Sequence, residues 1–186
     1  MTTISLTAPV AGDITGHLTK VDGQKVLVVE SSGGEQFGVI RAKPNEQRAS
    51  RRDPKTLGTI LEAASGSWFL PVMTSFGQKT FSVEDAQGKE VATYETSLSS
   101  TLLHAPGGDV TWERKRLGRP QYLIDGLFAA SRTPMHTFVA GISHTPFKGQ
   151  IESALVKRPD AALVLLLAAH WTMSSIDIKV STRANS

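Results

Sequence analysis

The sequence contains no cysteine. Disulfides, thiolate metal sites and thiol-based catalysis are therefore excluded together. Also missing is an apolar run long enough to cross a bilayer, which takes roughly 20 residues; the longest, Ala161 to Ala169, has nine. The amino-terminal segment MTTISLTAPVAGDITGHLTK has neither the basic start nor the continuous apolar centre of a secretory signal, so a cytoplasmic location is expected. Phosphate-cradling loops of the GxGxxG or GxxxxGK[ST] type do not occur. Ser143, in GISHT, lacks the second glycine of a nucleophile elbow, because Thr145 stands in its place. The five histidines (His17, His104, His136, His144 and His170) form no HExxH or other metal-spaced pair, and even His136 and His144 are eight apart across Gly141. The chain is accordingly expected to be non-enzymatic, with no catalytic residue, no metal and no cofactor.

At 186 residues, with 40% hydrophobic and 20% charged side chains, the chain fits one globular domain spanning residues 1–186. Long amphipathic helical patterns are absent before Arg158. What stands there instead is a series of short segments rich in β-branched, aromatic and aliphatic residues: GQKVLVVES, EQFGVIRAK, LGTILEAAS, SWFLPVMTS, KTFSVED, KEVATYE, STLLHA, DVTWERK, QYLIDGLF and MHTFVAGI. Glycine-bearing turns separate them at the spacing of about 8 to 12 residues expected of all-β sandwiches and barrels. The fold class is mainly β.

Two of these segments repeat each other. KVLVVESSGGEQFGVI (25 to 40) and KTFSVEDAQGKEVATY (79 to 94) align without gaps at an offset of 54 residues, with Val29-Glu30 on Val83-Glu84 and Gly34 on Gly88. Each reads as a strand, a four-residue polar turn whose glycine supplies a positive φ, and a second strand.

RPDAALVLLLAAHW, residues 158 to 171, has the opposite character. A helix apolar on every face belongs inside protein, because a surface helix keeps a polar side. The expected helix spans about residues 159–173, with Asp160 placed to cap its start and Pro159 just before it. SSIDIKV, Ser174 to Val180, alternates and reads as a closing strand. His170 is the odd polar residue, read either as bonded to a backbone carbonyl near the helix end or as a proton switch. Trp171 and Trp68 read as core fillers.

The hairpin pattern Phe81-x-Val83-x-Asp85-x-x-Gly88-x-x-Val91, followed by further strands and then by the apolar helix, resembles the tubby C-terminal-like superfamily, which includes the LURP-one-related proteins and the phospholipid scramblases. The resemblance implies a closed antiparallel β-barrel of about twelve strands threaded by the hydrophobic helix near the C-terminus. A barrel of that width cannot be filled by its own inward side chains, whereas a helix about 10 to 12 Å across fills it. The rival arrangement places the helix between two sheets of a sandwich.

The resemblance also implies lipid binding, since tubby proteins hold phosphoinositides on the barrel surface and scramblases are membrane-associated, but no position here matches their binding residues. The charge pattern offers its own candidates. Arg41 to Lys55 carries Arg41, Lys43, Arg48, Arg51, Arg52 and Lys55 against Glu46 and Asp53, a net of +4 where the whole chain carries +3. A second group, Arg114, Lys115, Arg116 and Arg119, follows Trp112, and alternation puts Arg114 and Arg116 on one face of the strand with Trp112 and Glu113 and Lys115 on the other. Either run suits phosphates on an anionic membrane surface or a phosphorylated protein partner rather than nucleic acid. Each is equally open to a blander account, as a solvated loop in the first case and a charged edge strand in the second. The expected function is a cytoplasmic or peripheral-membrane module for an anionic phospholipid or phosphorylated partner. Two alternatives are a small enzyme or ligand carrier with a barrel-end pocket and a protein-interaction scaffold without ligand. The sequence leaves the oligomeric state open.

Overall fold

The computed structural model describes residues 4–22, 24–43, 58–71, 80–96, 100–115, 121–132 and 147–183. Twelve strands follow in order: β1 (Gly12–Val21), β2 (Gln24–Ser31), β3 (Gln36–Ala42), β4 (Gly58–Ala63), β5 (Gly66–Pro71), β6 (Thr80–Asp85), β7 (Glu90–Thr96), β8 (Ser100–His104), β9 (Val110–Lys115), β10 (Gln121–Ile124), β11 (Phe128–Arg132) and β12 (Phe147–Ile151). Each pairs antiparallel with the next, and β12 pairs back onto β1 from Gly12↔Ile151 to Gly16↔Phe147, closing the barrel. A short helix α1 (Ser153–Val156) then leads to α2 (Ala161–Arg183). Closure leaves no edge for another strand to join, which excludes the sandwich.

An antiparallel meander alternates its connections between two ends. One end holds the tight connections β2–β3, β4–β5, β6–β7, β8–β9 and β10–β11, together with the start of α2; this is called the turn end below. At the other, the distal end, β1 joins β2, and the strand ends that bracket residues 44–57, 72–79, 97–99, 116–120 and 133–146 all stand there.

The repeated hairpins are one structure built twice. Gly34 (φ 86°) and Gly88 (φ 79°) take the left-handed conformation, and their amides donate to the Ser31 and Asp85 carbonyls, each at 3.0 Å. The Ser31 hydroxyl accepts from the Gly33 and Glu35 amides, and the Asp85 carboxylate from those of Gln87 and Lys89, 54 residues on. In both, the register slips one residue beyond the turn, at Val29/Glu30 and at Val83/Glu84, so Phe37 and Val91 are the extra residues of equivalent bulges.

The lumen is filled by α2. Residues 161–169 and 171–173 are buried, and Val164 to Ala169 have no exposed surface. Twelve strands about 4.8 Å apart and tilted about 40° close a ring roughly 24 Å across. Inward side chains take up about 5 Å on each side, which leaves the bore a helix needs. Gly38 marks the tightest approach: a Cβ there would lie 2.5 Å from Leu166 Cδ2. On the outside, Val26, Val28 and Val39 form a separate apolar patch covered by Ile4, Leu6 and Val21.

Four expectations need correction. QYLIDGLF is not one strand, because Asp125 (φ 31°) and Gly126 (φ 68°) turn the chain between β10 and β11. Ser174–Val180 is not a closing strand but a continuation of α2 to Arg183. Extending an existing helix needs no new nucleus, and β12 has already closed the sheet. Asp160 precedes the first helical residue, and its carbonyl accepts from the Val164 amide at 3.0 Å. Its carboxylate, however, turns away from α2, accepting from the Gly107 amide at 2.8 Å and from Arg158 at 2.8 and 3.0 Å, while Arg158 also donates to the Gly108 carbonyl at 2.8 Å. This buried pair fastens the start of the helix to the β8–β9 turn. The His170 imidazole, lastly, has no hydrogen-bond partner among the described residues. MHTFVAGI lies mostly in 133–146, outside them.

Candidate functional site

With the lumen occupied, the surface is where a partner can be met, and the distal end is where the basic residues gather. Lys20, Lys25, Arg41, Lys43, Arg114, Lys115, Arg132 and Lys148 occupy the distal halves of their strands or the positions just beyond, against Asp22, Glu95 and Glu113. These described positions sum to +5. The turn end is the reverse. Asp13, Glu30, Glu35, Glu62, Glu84, Asp85, Glu90, Asp109, Asp125, Glu152 and Asp160 stand there against Lys89, Lys157 and Arg158, a sum of −8.

Of the sequence-predicted anion-binding residues, Arg41 and Lys43 are described with their side chains. Arg41, near the end of β3, donates to Glu62 of β4 at 2.8 Å on the half-buried outer wall. The Glu62 hydrogen bond raises its pKa further above the ordinary arginine value. Lys43 bonds through its amide to the Gly58 carbonyl at 2.9 Å and holds its Nζ 4.8 Å above the centre of the Phe69 ring, a cation–π contact that leaves the ammonium able to meet an anion. Arg114 lies in β9, where its register partner is Tyr122 of β10. Arg48, Arg51, Arg52, Lys55 and Arg116 lie outside the described residues. The two basic runs thus share an end of the barrel but not a wall: β3 and β9 are six strands apart in a ring of twelve, on opposite sides of the mouth.

Trp112 is not an outward aromatic available to headgroups beside the arginines. It points into the lumen, stacked on Tyr122 at 5.4 Å and 8° and tilted against Trp171 at 5.5 Å. Trp171 meets Tyr94 edge-on at 5.4 Å, and Tyr94 stacks on Phe81 at 4.9 Å. These five rings wedge α2 against β6, β7, β9 and β10, so Trp171 is a core filler, and Trp68 packs against the same core. Burial pushes the Tyr94 phenol up to about 12, with a weaker opposing effect from the neighbouring Trp171 indole. His170 alone among residues 161–173 is only partly buried; the burial it has lowers its pKa to about 4.

Lys20 and Lys148 were missed by sequence reasoning because β1 and β12 were not recognised as strands, Arg132 because QYLIDGLF was ended at Phe128, and Lys25, in a recognised strand, because it belongs to neither basic run. One signal was present: Asp22-Gly23 between two β-rich runs marks a hairpin. Among the described residues no group of three or more histidine or acidic side chains could hold a metal, and no helix is long and apolar enough to cross a membrane. The chain matches no family model, no curated protein and no solved structure.

Proposed function

We propose that this chain is a non-enzymatic, cytoplasmic module of the tubby-like kind that docks on an anionic phospholipid surface. The observation that carries this reading is the distal end itself: described residues summing to +5 stand at the mouth of a barrel whose lumen is filled by its own helix, their basic members along the arc from β9 through β12 and β1 to β3, and the strand ends bracketing Arg48, Arg51, Arg52, Lys55 and Arg116 stand at the same mouth. Basic groups spread around a rim suit a plane of headgroups better than a single enclosed phosphate, because each Lys or Arg near an anionic leaflet contributes about 1 kcal/mol without needing a shared pocket. The twelve-strand barrel around a helix supports the tubby-like resemblance, and the filled lumen favours this reading over a ligand carrier.

The test is co-sedimentation with phosphatidylcholine vesicles, with and without phosphatidylserine, at low and physiological salt. Binding is expected only with the anionic lipid, weakening as salt rises. Charge reversal at Arg48, Arg51 and Arg52 should abolish it. Retention on neutral vesicles, or no retention on either, would set this function aside in favour of a protein-interaction scaffold.

A further inference from the structure

The two ends of the barrel carry opposite charge, and the consequence reaches past binding to orientation. From the −8 of the turn end and the +5 of the distal end, −7 and +4 once the bonded Arg41–Glu62 pair is cancelled, we infer that the chain meets an anionic membrane in one pose, end-on and tilted toward the arc from β9 through β12 and β1 to β3, with the distal end and the far part of α2 toward the headgroups and the turn end held in solvent. The inference rests on the membrane reading above and adds to it the face that makes contact.

Three observations support this pose over a side-on one. First, the charge separation is largest along the axis: the two ends carry opposite signs, whereas around the wall the basic positions fall on β9, β11, β12, β1, β2 and β3, one continuous arc, and β4 to β8 carry none, which tilts the axis toward that arc without laying the barrel on its side. Second, the described strands of five to seven residues rise roughly 15 Å along a tilted axis, about twice the 8 Å Debye length at physiological salt. Charges at the turn end are therefore largely screened from a surface at the distal end, whereas inverting the molecule would press the acidic set onto a surface of its own sign. Third, the turn end is built rigidly. Its acidic groups are fixed by hairpin hydrogen bonds such as those of Asp85 to the Gln87 and Lys89 amides and of Asp125 to the Thr111 amide at 2.7 Å, and it cannot rearrange to hide them.

The absence of cysteine makes the pose directly measurable. Single cysteines at Ala42→Cys (distal end), Ser65→Cys and Ala86→Cys (turn end), all exposed positions, would carry an environment-sensitive fluorophore, and its access to an aqueous quencher would be read with and without phosphatidylserine-containing vesicles. Co-sedimentation of the same labelled proteins reports binding separately. The expected result is several-fold shielding at Ala42→Cys and unchanged access at both turn-end sites. Vesicle binding with equal shielding at all three sites, or with the turn end shielded, overturns the orientation and leaves the membrane function standing. Failure to bind at all overturns both. A second variant, Lys20→Glu with Lys43→Glu and Lys148→Glu, all exposed positions, takes the sum at the distal end from +5 to −1: vesicle binding and the shielding at Ala42→Cys should both be lost, and their persistence counts against an electrostatic origin of the pose.

Discussion

The turn end and the distal end of this barrel are made from the same strands, yet they hold the chain by different means. At the turn end, short connections specify themselves: Ser31 and Asp85 bond the amides two and four residues ahead, Gly34 and Gly88 take the left-handed conformation, and a buried Arg158–Asp160 pair clamps the start of α2 to the β8–β9 turn. At the distal end the wall is instead held from within, by the cluster of five rings that includes Trp171. One end is fixed by local hydrogen bonds, the other by long-range packing on the helix. Perturbing the helix should therefore cost everything, perturbing the clamp a good deal, and perturbing a single turn little.

The largest effect is expected at the middle of the helix. Leu165 has no exposed surface, and Leu165→Asp would place an unpaired carboxylate there at a cost of several kcal/mol, comparable with the stability of a whole domain. Loss of the cooperative thermal transition is expected, and a folded variant would mean that the lumen admits water. Next comes the clamp. Asp160→Ala leaves the Arg158 guanidinium, with a side chain only 14% exposed, without its carboxylate and the Gly107 amide without an acceptor, a loss of about 3 to 5 kcal/mol. The outer-wall pair is the control: Arg41 and Glu62 are 29% and 35% exposed, so Glu62→Gln should cost at most about 1 kcal/mol. Urea titrations that rank the two the other way round would dissolve the distinction between ends.

How much of this was legible depends on the range of the interaction concerned. The hairpins at 31–36 and 85–90 were readable because a turn is decided by residues within a few positions of it. The helix was readable because nine consecutive apolar residues admit only a buried place. The fate of Ser174–Val180 was not, since Ile176, Ile178 and Val180 alternate like a strand and only the closure of β12 on β1 shows that no edge remains for one. Nor was the orientation of the Asp160 carboxylate, whose partner Gly107 lies 53 residues away. The basic runs were visible as sequence, but their gathering at one end follows from the alternation of a twelve-strand meander, which needs a correct strand count. Overlooking β1 and β12 hid Lys20 and Lys148 as members of the same rim, and ending a strand at Phe128 hid Arg132.

A smaller effect is expected from pH. His170 sits one residue before the ring cluster, and its pKa falls from 6.5 to about 4 on folding through burial. The folded state therefore favours the neutral imidazole. Its contribution is complete above pH 6.5 and is lost as pH falls from there toward 4, because the unfolded chain takes up the proton first. Each tenfold change in proton affinity is worth about 1.4 kcal/mol, and after allowance for the partial exposure of the ring the loss should be about 2 to 3 kcal/mol. Thermal melts of the native chain and of His170→Gln between pH 7 and pH 4 should diverge, with the variant showing the shallower fall. Parallel curves would place the acid sensitivity in the carboxylates of the turn end instead.

A modest effect tests whether the turn end really is specified locally. Gly34 and Gly88 have open space where a Cβ would go, so Gly34→Ala and Gly88→Ala bring only the cost of a left-handed backbone, about 1 to 2 kcal/mol. The two hairpins differ in nearly every side chain and lie four strands apart, but they share φ, the glycine hydrogen bond to the residue three back and the bulge that follows. If local geometry sets the cost, the two substitutions should lower stability by the same amount within a few tenths of a kcal/mol, and the double variant should show simple additivity, as expected of sites without shared partners. Unequal costs would mean that the surrounding wall, not the turn, decides the conformation at one of them. Gly34 would then be the more revealing site, because its hairpin also carries the contact with the amino-terminal segment, where the Thr7 amide donates to the Gln36 carbonyl at 2.9 Å.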